Sequence, residues 1–382
     1  MARISHHPRA QRVGRYFGHF GKRLLGGLLD FALPVPENIP LAAVDGVRRV
    51  LVVRPNFRIG NTLITAPLVL ALRQRFPGAT LDWLSGDTTA SLLANLPIGE
   101  IHCVSRRFIL RPWQFIALFL QLRRRRYDVA VEAGMGSFSG GLYAYLVGAR
   151  YRVGCGGKGD RFLNVRLPRV EVEHVYDSPV AFARMLGADC PDHPLYQVSD
   201  VERARADAIL GELGLARDGV VAPFAAVFVG GHQDKRWPAA DWLELIRALG
   251  AAGGRVVAFL GPEEMHFAAK MRAGLAGLAA VLEPQPLRTF AALWSRAALI
   301  VTPDSGPMHL AAALDVPTVA ILLSNASFIY RPRRAEDVTL VRPSPDDAVR
   351  AIMAHPQWAK LAAPVSLADS AEDRRGASSA NR

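Results

Sequence analysis

Along this chain, short continuous apolar runs alternate with stretches in which apolar residues recur every three or four positions. The runs Val50–Val53, Ala79–Leu84, Ile101–Val104 and Tyr127–Val131 predict strands, and the patterns at 61–76, 87–95, 112–126 and 138–148 predict helices. Another helical pattern covers about 175–188. After Cys190-Pro191-Asp192-His193-Pro194, read as an interdomain link, the alternation restarts. Strands are expected at Ala225–Val229, Val256–Leu260, 278–282, Leu299–Thr302 and Thr318–Leu322, with helices at 238–250, 263–274 and 288–297. Strands apolar nearly throughout are buried on both faces, which predicts parallel sheets covered by helices. Two doubly wound halves in succession predict a cleft, with ligands bound outside the carboxyl ends of the strands.

The pattern differs at the two ends. Val13, Phe17, Phe20, Leu24, Leu28 and Phe31 form one helical stripe, with Arg12, Arg15, His19, Lys22 and Arg23 away from it. A basic amphipathic helix of this kind suits an anionic membrane surface, or else docks on the protein's own body. Asp30 and the Leu33-Pro34-Val35-Pro36 sequence argue against a signal peptide. From about 365 an Ala/Ser/Asp/Arg-rich tail is expected to be disordered. The expected organisation is an extension at 1–46, a first domain at 47–190, a second at 196–364 and a tail at 365–382.

Composition sharpens this picture in one respect. The 382 residues are half hydrophobic, enough for two cores, and carry a net charge of +12. All of the excess lies in residues 1–195, with 26 basic and 14 acidic residues; residues 196–382 hold 20 of each. A basic first half implies an anionic partner. Three cysteines (Cys103, Cys155, Cys190) without pairing spacing argue against disulfides or zinc and for a reducing cytoplasm. No apolar run is long enough to span a membrane. The apolar segment Trp113–Leu122, between Arg106, Arg107 and Arg111 and the run Arg123–Arg126, reads first as a buried crossover helix and second as a basic, apolar rim for a lipid. The arginines come with no aromatic platform or nucleic-acid motif, so no nucleic-acid partner is expected.

Candidate chemistry gathers at strand ends. The stretch Thr302-Pro303-Asp304-Ser305-Gly306-Pro307-Met308-His309-Leu310 joins an apolar strand to a helix, where free N–H groups and the helix dipole favour an anion. The strand Ala225–Val229 leads into Gly230-Gly231-His232-Gln233-Asp234-Lys235, where two glycines open the backbone and Lys235, one of five lysines, can neutralise a phosphate. Glu263 follows the strand ending at Leu260 and suits a ribose or base contact, or a helix dipole. The first strand runs into Arg58-Ile59-Gly60-Asn61-Thr62, where Gly60 permits a close approach and Asn61 and Thr62 can cap a helix. There is no Walker A motif, no nucleophile elbow and no metal-ligand spacing.

Together these motifs resemble the lipopolysaccharide heptosyltransferases, glycosyltransferase family nine. The pieces that carry it are Val52-Val53-Arg54 through Gly60-Asn61-Thr62-Leu63 with Pro67 and Leu72–Pro77, Arg126-Tyr127-Asp128-Val129-Ala130-Val131, Tyr151-Arg152-Val153-Gly154, Asp234-Lys235-Arg236-Trp237-Pro238, and Thr302 to Leu323. They fall in order over roughly 47–345. The resemblance implies an α/β GT-B fold of two Rossmann-like, doubly wound parallel-sheet domains facing a cleft. It implies an inverting, metal-independent glycosyltransferase that moves a heptose-like sugar from a nucleoside diphosphate, ADP-heptose or similar, to an anionic lipid-linked glycan at the inner membrane face. No cofactor is implied, and a cytoplasmic, peripherally membrane-bound monomer is expected.

Residue by residue, the resemblance makes Lys235 a diphosphate contact and catalytic group, and Asp304 a donor-sugar contact. Ser305, Gly306 and His309 form the phosphate turn, Gly230, Gly231 and Glu263 complete the donor site, and Arg58, Gly60, Asn61 and Thr62 face the acceptor. The chain departs from the family at Asn61, where an aspartate is the expected general base. A neutral amide cannot take the acceptor's proton as a carboxylate does. Asp87 or Glu132 would then serve, or Asn61 only orients the acceptor, or the protein is a weak or inactive sugar-nucleotide or glycolipid binder. The sequence Ser324-Asn325-Ala326-Ser327-Phe328 also departs from the family. An epimerase of the same fold is a third reading.

Overall fold

The computed structural model describes residues 34–363, apart from 170, 218 and 232–234. The amphipathic stripe at 13–31 and the tail from 365 lie outside the described residues. The strands are β1 (Arg49–Val53), β2 (Thr80–Gly86), β3 (Ile101–Val104), β4 (Val129–Glu132), β5 (Tyr151–Cys155), β6 (Val165–Leu167), β7 (Ala216–Arg217), β8 (Val220–Val221), β9 (Ala225–Val229), β10 (Val256–Leu260), β11 (Ala280–Leu282), β12 (Leu299–Pro303), β13 (Thr318–Leu322) and β14 (Val338–Val341). The helices are α1 (Ile59–Thr65), α2 (Leu68–Arg75), α3 (Pro112–Arg124), α4 (Phe138–Val147), α5 (Asp177–Met185), α6 (Asp200–Glu212), α7 (Ala239–Ala251), α8 (Ala268–Leu275), α9 (Leu287–Trp294), α10 (Gly306–Ala313), α11 (Pro345–Met353) and α12 (Trp358–Ala362).

Two six-stranded sheets result, in the orders β3-β2-β1-β4-β5-β6 and β11-β10-β9-β12-β13-β14, with β7 and β8 as a small separate ribbon. Within both six-stranded sheets the pairings are parallel, with Val52 beside Val131 in the first and Val227 beside Val301 in the second. The apolar runs behave as the pattern predicts. Along β9, Ala225, Val227 and Val229 pack with Trp242 and Ile246 of α7 on one face, while Ala226 packs with Phe290 and Trp294 of α9 on the other. Strands covered on both faces have no polar side to show, which is why they read as unbroken apolar runs.

By compactness the chain forms one unit from the residues up to Val53 with Ile116–Arg169, and a second from Arg54–Phe115 with the residues from Val170 on. In the first unit Glu132, at the end of β4, is fully buried and accepts bonds from the N–H groups of Gly134 (2.6 Å) and Gly136 (2.8 Å). Gly140 and Gly154 leave it room, since a Cβ on either would press into its side chain. In the second unit a part-buried network ties three segments together. Arg288 of α9 holds the Glu202 carboxylate and donates to Ser91 O (2.8 Å) and Gln197 O (3.0 Å).

Several elements differ from the sequence pattern. The helix expected over 61–76 is two, because Pro67 interrupts the ladder between α1 and α2. The helix expected at 87–95 is a 3-10 turn over Ala90–Leu93. The Thr89 hydroxyl there donates to Asn56 O (2.8 Å) and ties the turn to the loop after β1. The stretch 263–274 opens as a 3-10 segment, Pro262–Phe267, before α8. Strands β5, β6 and β14 and helices α6 and α11 carried too short or too polar a pattern to be read. The capping boxes Ser199/Glu202 and Ser344/Asp347 were legible signals for the two helices. Helix α3 is not the buried crossover helix preferred from sequence: of its residues only Phe119 and Leu122 are buried.

Candidate active site

The turn after β12 forms as the sequence predicts. Pro303 ends the strand, Ser305 is extended (φ −151°), and α10 starts at Gly306 with Pro307 in its first turn, where the missing N–H costs nothing. Asp304 is buried at the head of this helix. Its carboxylate accepts from Lys235 Nζ at 2.5 Å, and the ammonium also lies 5.5 Å from the centre of the Tyr330 ring. Lys235 keeps 38% of its side chain exposed, against 5% for Asp304. The result is a fixed carboxylate beneath a cation that still faces solvent. Ser305 donates its hydroxyl to Pro303 O (3.2 Å), so it braces the turn and leaves the first N–H groups of α10 unobstructed by a side-chain cap.

The loop after β9 brings Lys235 there by backbone geometry. Gly231 adopts φ +146°, and a Cβ on it would stand 2.8 Å from Lys235 O and from Arg236 Cα. A side chain at Gly230 would strike the Phe228 ring at 2.6 Å. Arg236 donates to Gly231 O (3.1 Å) and to Glu263 (2.8 Å), and lies 3.2 Å from Glu264. It therefore clamps the loops after β9 and β10. Glu263 is largely exposed at the rim, while Glu264 is buried beneath it. Burial pushes the Glu264 carboxyl above its ordinary pKa, against the pull of Arg236.

His309 lies on the inward side of α10. Its Nδ1 is 2.9 Å from the Tyr176 hydroxyl, and its ring meets Tyr176 edge-on and Tyr330 at 6.0 Å. Full burial lowers its pKa to about 4, with the neighbouring Asp304 opposing that and His174 and Lys235 adding to it. The imidazole is therefore neutral at pH 7 and supports the turn by packing and one hydrogen bond. Tyr176 and Tyr330 were not read from sequence. A tyrosine in a loop carries no periodic signal, and only the fold brings these two to the turn.

The loop after β1 meets the same helix. Gly60 packs so closely on His309 that a Cβ would enter the imidazole, and a Cβ on Gly306 would come within 2.8 Å of Ile59 Cβ. The structure thus brings Gly60 and the 304–309 turn together within one compact unit. Arg58 is the N-cap of α1 and uses no side-chain cap. Asn61 and Thr62 are inside the first turn, which corrects the expectation that they cap it. Thr62 is buried, Asn61 half-buried and Arg58 exposed. The Asn61 carbonyl accepts from Thr65 Oγ1 (2.8 Å). Of the carboxylates weighed as a replacement base, Glu132 has no exposed surface and both oxygens on backbone N–H groups, so it cannot receive a proton from a substrate. Asp87 is exposed just past β2 and accepts from Arg106 N (3.1 Å).

The two parallel six-stranded α/β sheets match the fold of solved structures. The structure of E. coli ADP-heptose LPS heptosyltransferase II superposes with a TM-score of 0.63 and 23% identity, covering 80% of this chain and 98% of that one. The lipopolysaccharide heptosyltransferase 1 of Pseudomonas aeruginosa is 29% identical over 296 residues, 72% of this chain and 78% of that protein. That of Salmonella typhimurium is 25% identical over 289 residues, 72% and 87%. The model of glycosyltransferase family 9 (heptosyltransferase) matches residues 115–340. The chain belongs to this family and is a glycosyltransferase.

Proposed function

We propose that this glycosyltransferase moves heptose from ADP-heptose to a lipid-linked lipopolysaccharide core acceptor at the inner membrane face, with inversion and without a metal. The names of the relatives supply the sugar and the acceptor class. The observation that carries the site is the Lys235–Asp304 pair at the start of α10. The diphosphate lies on the open N–H groups at Ser305 and Gly306 and on the solvent-facing side of Lys235. Asp304 contacts the donor sugar. Gly230 and Gly231 admit the phosphates to the backbone, and Glu263 at the rim meets the ribose or base. Arg58, Gly60, Asn61 and Thr62 border the acceptor.

The acceptor hydroxyl oxygen attacks the anomeric carbon as the bond from that carbon to the phosphate oxygen breaks. ADP leaves with that electron pair, and the hydroxyl proton passes to a base. Lysine and helix N-terminus are in place before charge builds on the leaving diphosphate, the setting in which fixed electrostatics accelerate a reaction most. The base is the open position. Asn61 accepts a hydrogen bond from the hydroxyl and orients it but cannot hold its proton, and Asp87 is an exposed carboxylate beside Thr88, whose hydroxyl donates to Phe57 O of that loop (3.3 Å).

Asn61 also favours a second reading, a weak or inactive sugar-nucleotide or glycolipid binder. The deciding experiment is single-turnover transfer from ADP-heptose by the wild type and by Asn61→Asp. Measurable wild-type transfer supports the enzyme, and a large gain in the variant identifies a degraded base. No transfer by either protein, with ADP still bound, supports the binder.

A further inference from the structure

Helix α3 has two apolar seams, and the protein covers one. Phe119 and Leu122 are buried, with Phe115 and Leu118 half-buried beside them, which docks the helix along a single face. A helix docked on one side is ordinarily polar on the other. Here Trp113, Ile116 and Leu120, again at three- and four-residue spacing, are 63%, 58% and 51% exposed. The 3-10 turn Phe108–Leu110 that leads into the helix exposes Ile109 and Leu110 at 77% and 71%. Among the described residues no other stretch of this length exposes five large apolar side chains. An apolar strip of this kind marks an interaction surface.

The charge around the strip is of one sign. Between Glu100 and Asp128 the chain has seven arginines and no acid, and Arg106, Arg107, Arg111, Arg123, Arg124 and Arg126 are exposed. At about 1.5 Å per residue, the thirteen residues of α3 are too short to cross a bilayer but long enough to lie in its interface. We infer that Arg106–Arg126 is the face on which the protein rests against an anionic phospholipid bilayer. Helix α3 lies in the interfacial plane, the five apolar side chains enter the acyl boundary and the arginines meet headgroup phosphates. Charge decides the occupant. A second copy would bring the same basic surface, and residues 1–23, with six basic residues and no acid, would do likewise. Only an anionic surface complements the strip. The inference rests on the membrane-face part of the proposed function and adds the element that makes the contact.

The test is co-sedimentation of the full chain with phosphatidylcholine vesicles, with and without phosphatidylglycerol. The wild type should bind only the anionic vesicles. The variant Trp113→Glu/Ile116→Glu/Leu120→Glu should lose at least about tenfold in partitioning while keeping ADP affinity and its circular dichroism. With acyl-brominated phosphatidylglycerol, tryptophan quenching should appear in the wild type and be much reduced in Trp113→Phe, which still binds. Unchanged partitioning of the glutamate variant overturns the assignment to α3 while leaving the membrane-face reading intact. Quenching undiminished in Trp113→Phe does the same. No vesicle binding by the wild type overturns both. A wild-type dimer that the glutamate variant dissolves, seen by sedimentation, assigns the face to a second copy instead.

Discussion

Lys235 is the side chain on which the proposed donor site turns. It holds a buried carboxylate with one side of its ammonium and offers the other to solvent. Lys235→Ala should raise the Kd for ADP about tenfold or more, roughly 1.4 kcal/mol, by calorimetry. The same change leaves Asp304 buried without its partner, so the melting temperature should fall as well, and an unchanged Kd would remove Lys235 from the proposed site. Gly60 is constrained by sterics. Gly60→Ala should destabilise the chain by about 1–3 kcal/mol in urea unfolding, because a methyl must displace His309. Residue types at strand ends were legible in sequence for a physical reason: in doubly wound sheets ligands bind outside the carboxyl ends of the strands, so a lysine, an acid and glycines falling there are candidates. Tyr176, Tyr330 and Arg236 were not, because their places depend on which loops the fold juxtaposes. Whether Asn61 and Thr62 cap or continue a helix could not be read either, since a cap can slide by a turn without altering the apolar pattern.

Among the elements, those with long apolar runs were read well and those held by polar contacts were not. Strands β9, β10 and β13 form where the run predicts, whereas a 3-10 turn at Ala90–Leu93, tied by the Thr88 and Thr89 hydroxyls to the loop after β1, stands where a helix was expected. The Glu202–Arg288 pair is a second polar determinant. Glu202 caps α6 and Arg288 lies on α9, so the pair fixes one helix against the other. The hydrogen bond from Arg288 draws the Glu202 carboxyl down from its ordinary value of 4.5 to about 2, against a smaller opposing effect of burial. A carboxyl depressed in the folded state stabilises fully above its unfolded pKa and loses that contribution as pH falls through the folded one. Arg288→Ala should therefore cost about 2 kcal/mol at pH 7, and less as the pH is lowered from about 4.5 toward 2. Urea midpoints at several pH values measure it, and a cost independent of pH would show that the pair contributes through packing alone.

Across the whole molecule, charge and exposed apolar surface occur together. The first half carries the entire excess of +12, and the exposed strip of α3 lies within it. Among the described residues no helix is long and apolar enough to cross a membrane. Attachment through arginines is screened by salt, since the Debye length falls from about 10 Å at 0.1 M to about 3 Å at 1 M. The protein should therefore leave phosphatidylglycerol vesicles as sodium chloride approaches 1 M. Retention at that concentration would point to an anchoring that is chiefly hydrophobic.

The contact of Gly60 on His309 also bears on how the molecule breathes. Helices α1 and α10 are distant in sequence, yet neither can loosen without unseating the other. Their slowest amide protons should exchange through one shared opening, with a common free energy across Leu63–Thr65 and Leu310–Ala312. Gly60→Ala should lower protection at both helices together and by the same amount. Hydrogen-exchange mass spectrometry would then register two remote peptides as a single foldon.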